Sequence, residues 1–174
     1  MRVYYGGKFY EKCMQEDNKY QTFAVANYIL DKLNEFDITH LKLQKLLYIA
    51  YGINLCLFES RLFESKIKAW KLGPVVEDVY QDLRQYGSES LSGVKLNIGN
   101  RIPRLNEQEF DTKAILIACA AYGQRTAWEL VEELHSEGSA WGKHYTDGQK
   151  AIIPDGDIRT ELYGHLEKLA TYLL

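Results

Sequence analysis

The sequence predicts a mainly α fold: a compact single-domain helical bundle of about six helices with at most one small β-hairpin. Three observations predict it. Apolar residues recur at helical spacing along most of the 174 residues. Capping residues such as Thr39, Asn106 and Thr126 stand just ahead of those stretches. Strict alternation occurs in only one short place, through Val94, Leu96 and Ile98.

Residues 1–20 are rich in Tyr, Lys and Glu, carry Gly6-Gly7 and show no clean period. They read as an N-terminal arm with a short helix around Phe9 to Met14, ahead of a domain over 21–174. From Thr22, a candidate cap, Phe23, Ala26, Ile29, Leu30 and Leu33 form a helical stripe. The next helix, THLKLQKLLYIAYGINLCLF, is capped by Thr39 and apolar on nearly every side except where Lys42 and Lys45 share a face. Such a helix is surrounded by neighbours. Gly52 inside it costs about 1 kcal/mol relative to Ala, so a neighbour is expected to approach its backbone closely.

ESRLFESKIKAW has no helical stripe and reads as a turn and an extended piece. In AWKLGPVVEDVY, Gly73 reads as a helix cap, Pro74 as the first helical residue, and Glu77 and Asp78 as dipole partners. Val75, Val76, Val79, Leu83 and Tyr86 would be its buried stripe and Gly87 its terminator. The alternating stretch turns at Gly99-Asn100 and resumes at Ile102 as a weak hairpin, with Pro103 confining that strand to an edge. Asn106 with Glu109 has the spacing of a capping box before AILIACAAY, and Thr126 with Glu129 repeats it before Ala127, Leu130, Val131 and Leu134. HSEGSAWGKHYTDG is irregular, with room for one helical turn. Asp157 opens a last helix striped by Ile158, Leu162, Leu166, Leu169 and Leu173.

Composition narrows the function. A net charge of -3 and a pI near 5.8, without a run of Lys or Arg, argue against nucleic-acid binding. Cys13, Cys56 and Cys119 are odd in number and far apart, which fits core thiols rather than a disulfide frame or a metal pair. The N-terminus has no apolar core of a signal peptide, and the apolar run from Leu46 to Phe58 is too short to span a bilayer, so a cytoplasmic protein is expected.

No motif carries catalysis. KLGPVVED has one glycine, a proline where a phosphate loop needs a donor, and two carboxylates that repel an anion. The four histidines lack metal-ligand spacing, and Asp155-Gly156-Asp157 lacks the remaining ligands of a calcium loop. His135 just past a helix end reads as a partly cationic imidazole facing the last carbonyls. Glu132-Glu133 point in different directions on a helix, and no nucleophile motif surrounds a serine. No enzyme, cofactor or metal is expected. The unexplained surplus is aromatic: thirteen tyrosines, three tryptophans and six phenylalanines, of the kinds enriched where proteins bind proteins.

Four blocks then form a pattern: KLQKLLYIAYG (Lys42 to Gly52), AWKLGPVVEDVY (Ala69 to Tyr80), LHSEGSAW (Leu134 to Trp141) and IPDGDI (Ile153 to Ile158). In order and spacing they resemble the SocA-like, or Panacea, antitoxin domain from about Tyr20 to the C-terminus. The chain departs from the family at Ala140, where a proline often precedes the tryptophan. The resemblance implies a helical domain without catalytic activity that binds a toxin protein encoded beside it. It acts either by direct neutralisation or as an adaptor delivering the toxin to an AAA+ protease such as ClpXP. Family members occur on prophages and mobile elements. The roughly twenty residues ahead of the domain are too few for the helix-turn-helix that some relatives carry. An alternative within the same resemblance is a phage or mobile-element protein that uses the domain to hold a host protein. The expected partner-binding residues are Trp70, Lys71, Gly73, Pro74, Tyr80, His135 and Trp141, extended by Tyr4, Tyr5 and Tyr10 of the arm.

Overall fold

A computed structural model describes the backbone of residues 6–108, 110–136 and 138–173, and the side chains of 16–168 apart from 109 and 137. Tyr4 and Tyr5, with the side chains of Tyr10, Cys13, Glu109, Leu169 and Leu173, lie outside the described residues. Described in chain order, the helices are α1 (Gly6–Lys32), α2 (His40–Phe58), α3 (Glu77–Leu83), α4 (Lys113–Tyr122), α5 (Ala127–Leu134), α6 (Ala140–His144) and α7 (Asp155–Leu173). The antiparallel strands β1 (Ile67–Trp70) and β2 (Gly73–Val76) form one hairpin between α2 and α3. The fold is mainly α, as the spacing predicts.

The centre is α2. It touches α1, α3, α4, α5, α7 and β2, which is why its apolar residues leave no solvent-facing stripe. Leu43, Leu46, Leu47, Tyr48, Ile49, Ala50 and Ile53 are all buried. Thr39 caps it by accepting from the Lys42 amide. The close approach expected at Gly52 is made by α7: a Cβ there would lie 2.5 Å from Leu162 Cγ. Thr126 and Glu129 form the expected capping box of α5, each side chain bonding the other's backbone.

Six expectations change. The arm is not a separate element from Gly6 onward, because α1 is one helix of 27 residues. Thr22 lies inside it rather than at its start: its hydroxyl donates to the Asn18 carbonyl and contacts the Ser65 hydroxyl. Gly73-Pro74 do not begin a helix. They belong to β2, and α3 starts only at Glu77. The hairpin therefore sits at 67–76, and the stretch expected to form one closes with a single bridge, Ile98 to Arg101, around Gly99-Asn100. There Asn27 takes the main chain instead: its amide donates to the Leu96 and Pro103 carbonyls and its oxygen accepts from the Leu96 amide. Lastly, α4 begins at Lys113 rather than near Asn106, whose oxygen holds a local turn at Gln108. The last helix likewise begins at Asp155, two residues ahead of the expected Asp157.

Candidate functional site at the hairpin tip

The hairpin is two strands wide, so both outer edges present main-chain groups that need partners. The outer edge of β1 is covered by residues 151–153: the Ala69 amide donates to the Ala151 carbonyl and the Ile153 amide to the Ile67 carbonyl. The outer edge of β2 is covered by side chains of α2. Gln44 accepts from the Val76 amide at 2.8 Å and donates to the Val76 carbonyl at 3.4 Å. Lys45 donates to the Pro74 carbonyl at 2.9 Å. Pro74 has no N–H to leave unpaired, which suits a proline on an edge. The consecutive pair Gln44-Lys45 thus stands in for a third strand.

Lys45 is wholly buried, and burial pushes its ammonium down to about 7. Gly73 makes room for it. The glycine has φ of 99°, and a Cβ there would come within 2.6 Å of Lys45 Nζ and 3.1 Å of His135 Nε2. His135 ends α5, as its position predicts, but it is not the cationic cap expected. Burial and the nearby Lys45 lower its pKa, and its ring stacks on Trp141 with centroids 3.8 Å apart. The Trp141 indole N–H then donates to the Trp70 carbonyl at 2.7 Å. Trp141 is placed by α6, whose first amide, from Ala140, donates to Glu161 on α7; the same carboxylate oxygen accepts from Tyr48 of α2 at 2.6 Å.

This bracket fixes the hairpin tip against α3, and a groove of about 360 Å³ opens between them. Trp70, Leu72, Val75 and Tyr80 supply its apolar surface, with His40 alongside. The Trp70 and Tyr80 rings lie 4.5 Å apart and those of Tyr80 and His40 5.0 Å apart. His40 is held neutral: burial and Lys45 push it down to about 4, and its Nε2 sits 3.2 Å from the Gln44 amide nitrogen. Lys71 and Arg84 are the charged residues of the lining, and Lys150 lies 3.8 Å over the Trp70 ring.

The seven residues singled out in the sequence therefore converge on one place. Trp70, Lys71 and Tyr80 line the groove, whereas Gly73, Pro74, His135 and Trp141 stand behind it and hold its shape. Gln44, Lys45, His40, Arg84 and Glu161 were missed. The available signal was Lys45 itself, because a lysine on a helix expected to have neighbours on nearly every side has little water to reach. Among the described residues, no group of three or more His, Cys, Asp or Glu could hold a metal ion. No helix there is long and apolar enough to cross a membrane.

Fold and groove together define a mainly helical domain with an aromatic groove carried on a braced hairpin. Residues 43–142 match the family described as antitoxin SocA-like, Panacea domain, and the chain belongs to that family. It is 31% identical over 139 residues to Antitoxin SocA of Caulobacter vibrioides (strain NA1000 / CB15N), a match covering 73% of this chain and 71% of the relative. No solved structure matches the chain.

Proposed function

We propose that this chain is a cytoplasmic antitoxin that neutralises a cognate toxin, encoded by a neighbouring gene, through protein–protein contact at the hairpin-tip groove. The carrying observation is that the blocks marking the family are the parts that build this groove. Gln44 and Lys45 of the first block hold Pro74 and Val76 of the second, and Trp141 of the third holds Trp70. Aromatic residues on a rigid support suit a protein interface, because little side-chain freedom is lost on binding. Neutralisation proceeds by occupying the toxin or by passing it to an AAA+ protease such as ClpXP.

Co-expression of this chain with each neighbouring open reading frame tests the proposal. Growth arrest by one neighbour, relieved when this chain is present, is the expected result. Toxicity that persists beside a folded chain, or no toxic neighbour at all, overturns it. Toxin half-life in cells with and without the protease then separates the two modes, since only adaptor action shortens it.

A further inference from the structure

The groove's lining carries a charge bias that points to the chemistry of its occupant. The chain as a whole has a net charge of -3. Yet the ionised groups lining the groove are Lys71 and Arg84, and no aspartate or glutamate is among the lining residues. Both are exposed, and neither makes an ion pair among the described residues. Lys150 adds a third cation nearby, over the face of the Trp70 ring. The nearby acids are engaged elsewhere: Glu77 with Lys68, Asp78 with Ser65 and Asp82 with Lys19. The larger hollow beside α1, about 470 Å³, differs in kind. Its Asp31 pairs with Lys95 and its Glu107 with Lys32, so both of its acids are matched within the chain and one cation of its lining, Arg104, makes no ion pair among the described residues.

We propose that the groove receives a protein segment in which one or two bulky apolar side chains are flanked by carboxylates. The apolar side chains seat against Trp70, Leu72, Val75 and Tyr80, and the carboxylates meet Lys71 and Arg84. Leu72 is 42% exposed, an apolar side chain at the tip that such a segment would cover. The volume lies at the low end of the range for ligand sites, about 300–1,000 Å³, and suits a short segment rather than a domain. Complementary charge at the rim governs the on-rate and the choice among partners. This inference rests on the groove being the partner-binding face and adds what the partner's segment must look like.

Three fluorescein-labelled synthetic peptides of equal length and identical Phe-Leu centre provide the test, with flanks of glutamate, serine or lysine. Fluorescence anisotropy with the full chain should show the glutamate peptide binding at least about tenfold more tightly than the serine peptide, and the lysine peptide more weakly than both. Its affinity should fall between 50 and 500 mM salt, concentrations at which screening shortens from ~14 to ~4 Å. The double variant Lys71→Glu/Arg84→Glu changes only exposed side chains, so it keeps the fold, as circular dichroism would verify, while losing about tenfold for the glutamate peptide. Equal binding of all three peptides, absent binding of the glutamate peptide, or an unaltered affinity in the double variant overturns the proposal. So does self-association of the chain that the same charge reversals abolish, because the occupant is then a second copy. The antitoxin reading is judged separately: a double variant that still relieves toxicity sinks the groove proposal alone, and a missing toxin sinks the antitoxin reading while the titration still decides the groove.

Discussion

The ammonium of Lys45 donates to the carbonyl oxygen of Pro74 at 2.9 Å, wholly buried and 29 residues away in sequence. An ammonium this deep is disfavoured by desolvation, which places its folded-state pKa near 7 against an ordinary value of 10.5. The unfolded chain therefore binds more protons between these values, and stability rises with pH across that window. It is lost again as pH falls from 10.5 toward 7. The slope cannot exceed about 1.4 kcal/mol per pH unit for one proton. We expect the wild type to gain about 1–2 kcal/mol between pH 7 and 9, and Lys45→Met to lose most of that gain, the remainder coming from Lys42, whose pKa burial also lowers. Cys56, Cys119 and the buried tyrosines have raised pKa values and begin to oppose the trend near the top of the window, but both proteins share them. Urea denaturation at the two pH values measures the difference; parallel pH profiles would show that Lys45 is not the titrating group.

Gly73 separates two reasons for a glycine. Its φ of 99° strains any L side chain, and its missing Cβ leaves room for Lys45 Nζ and His135 Nε2. Gly93 has φ of 73° with nothing within 4 Å of a Cβ, so it carries only the first reason. Gly93→Ala is expected to cost about 1 kcal/mol and Gly73→Ala about 2–4 kcal/mol. Thermal unfolding of both variants compares them, and equal costs would remove the packing argument.

How much of this was legible in the sequence depends on how far apart the partners are. Thr126 and Glu129 bond within one turn of helix, so three residues of spacing reveal the capping box. Gly52 announced a close neighbour, though not that Leu162 would be it. Gly73-Pro74 misled because the same dipeptide suits a helix start and an edge strand: both tolerate a missing N–H. What decides between them is Gln44 and Lys45 reaching across to β2, a contact no local window contains. The convergence of Trp70, Tyr80, His135 and Trp141 was suggested by family resemblance, while its physical cause, the bracket through Trp141 and Glu161, needed the tertiary structure.

Asn27 shows why the alternating stretch is not a hairpin. Its one buried side chain makes three hydrogen bonds, to both main-chain groups of Leu96 and to the Pro103 carbonyl. Asn27→Ala leaves three buried main-chain groups unpaired, at about 1–3 kcal/mol for each. A loss of about 3 kcal/mol or more is expected, with the Leu96 amide exchanging faster than amides of α2. Hydrogen exchange read residue by residue checks this, and an unchanged Leu96 protection would contradict it.

The core is linked to the groove through the contact of Gly52 with α7. A Cβ at Gly52 would meet Leu162 Cγ at 2.5 Å and Leu162 Cβ at 3.0 Å, so the whole leucine must move, not just its tip. Helix propensity alone favours Gly52→Ala by about 1 kcal/mol, whereas overpacking costs about 1–3 kcal/mol or more. We expect the clash to win, giving a net loss of about 1–2 kcal/mol. Leu162→Ala by itself opens a cavity and should cost about 2–5 kcal/mol. In the double variant the new methyl group occupies part of that cavity, so the combined loss should fall short of the sum by about 1 kcal/mol or more. The consequence reaches the site because Glu161 precedes Leu162. Displacing α7 moves the carboxylate that holds Tyr48 and the first amide of α6, and with it Trp141 and its bond to the Trp70 carbonyl. Gly52→Ala should therefore shift tryptophan fluorescence under native conditions and weaken peptide binding at the groove, while a conservative change on the exposed face of α4, such as Leu116→Ala, should do neither.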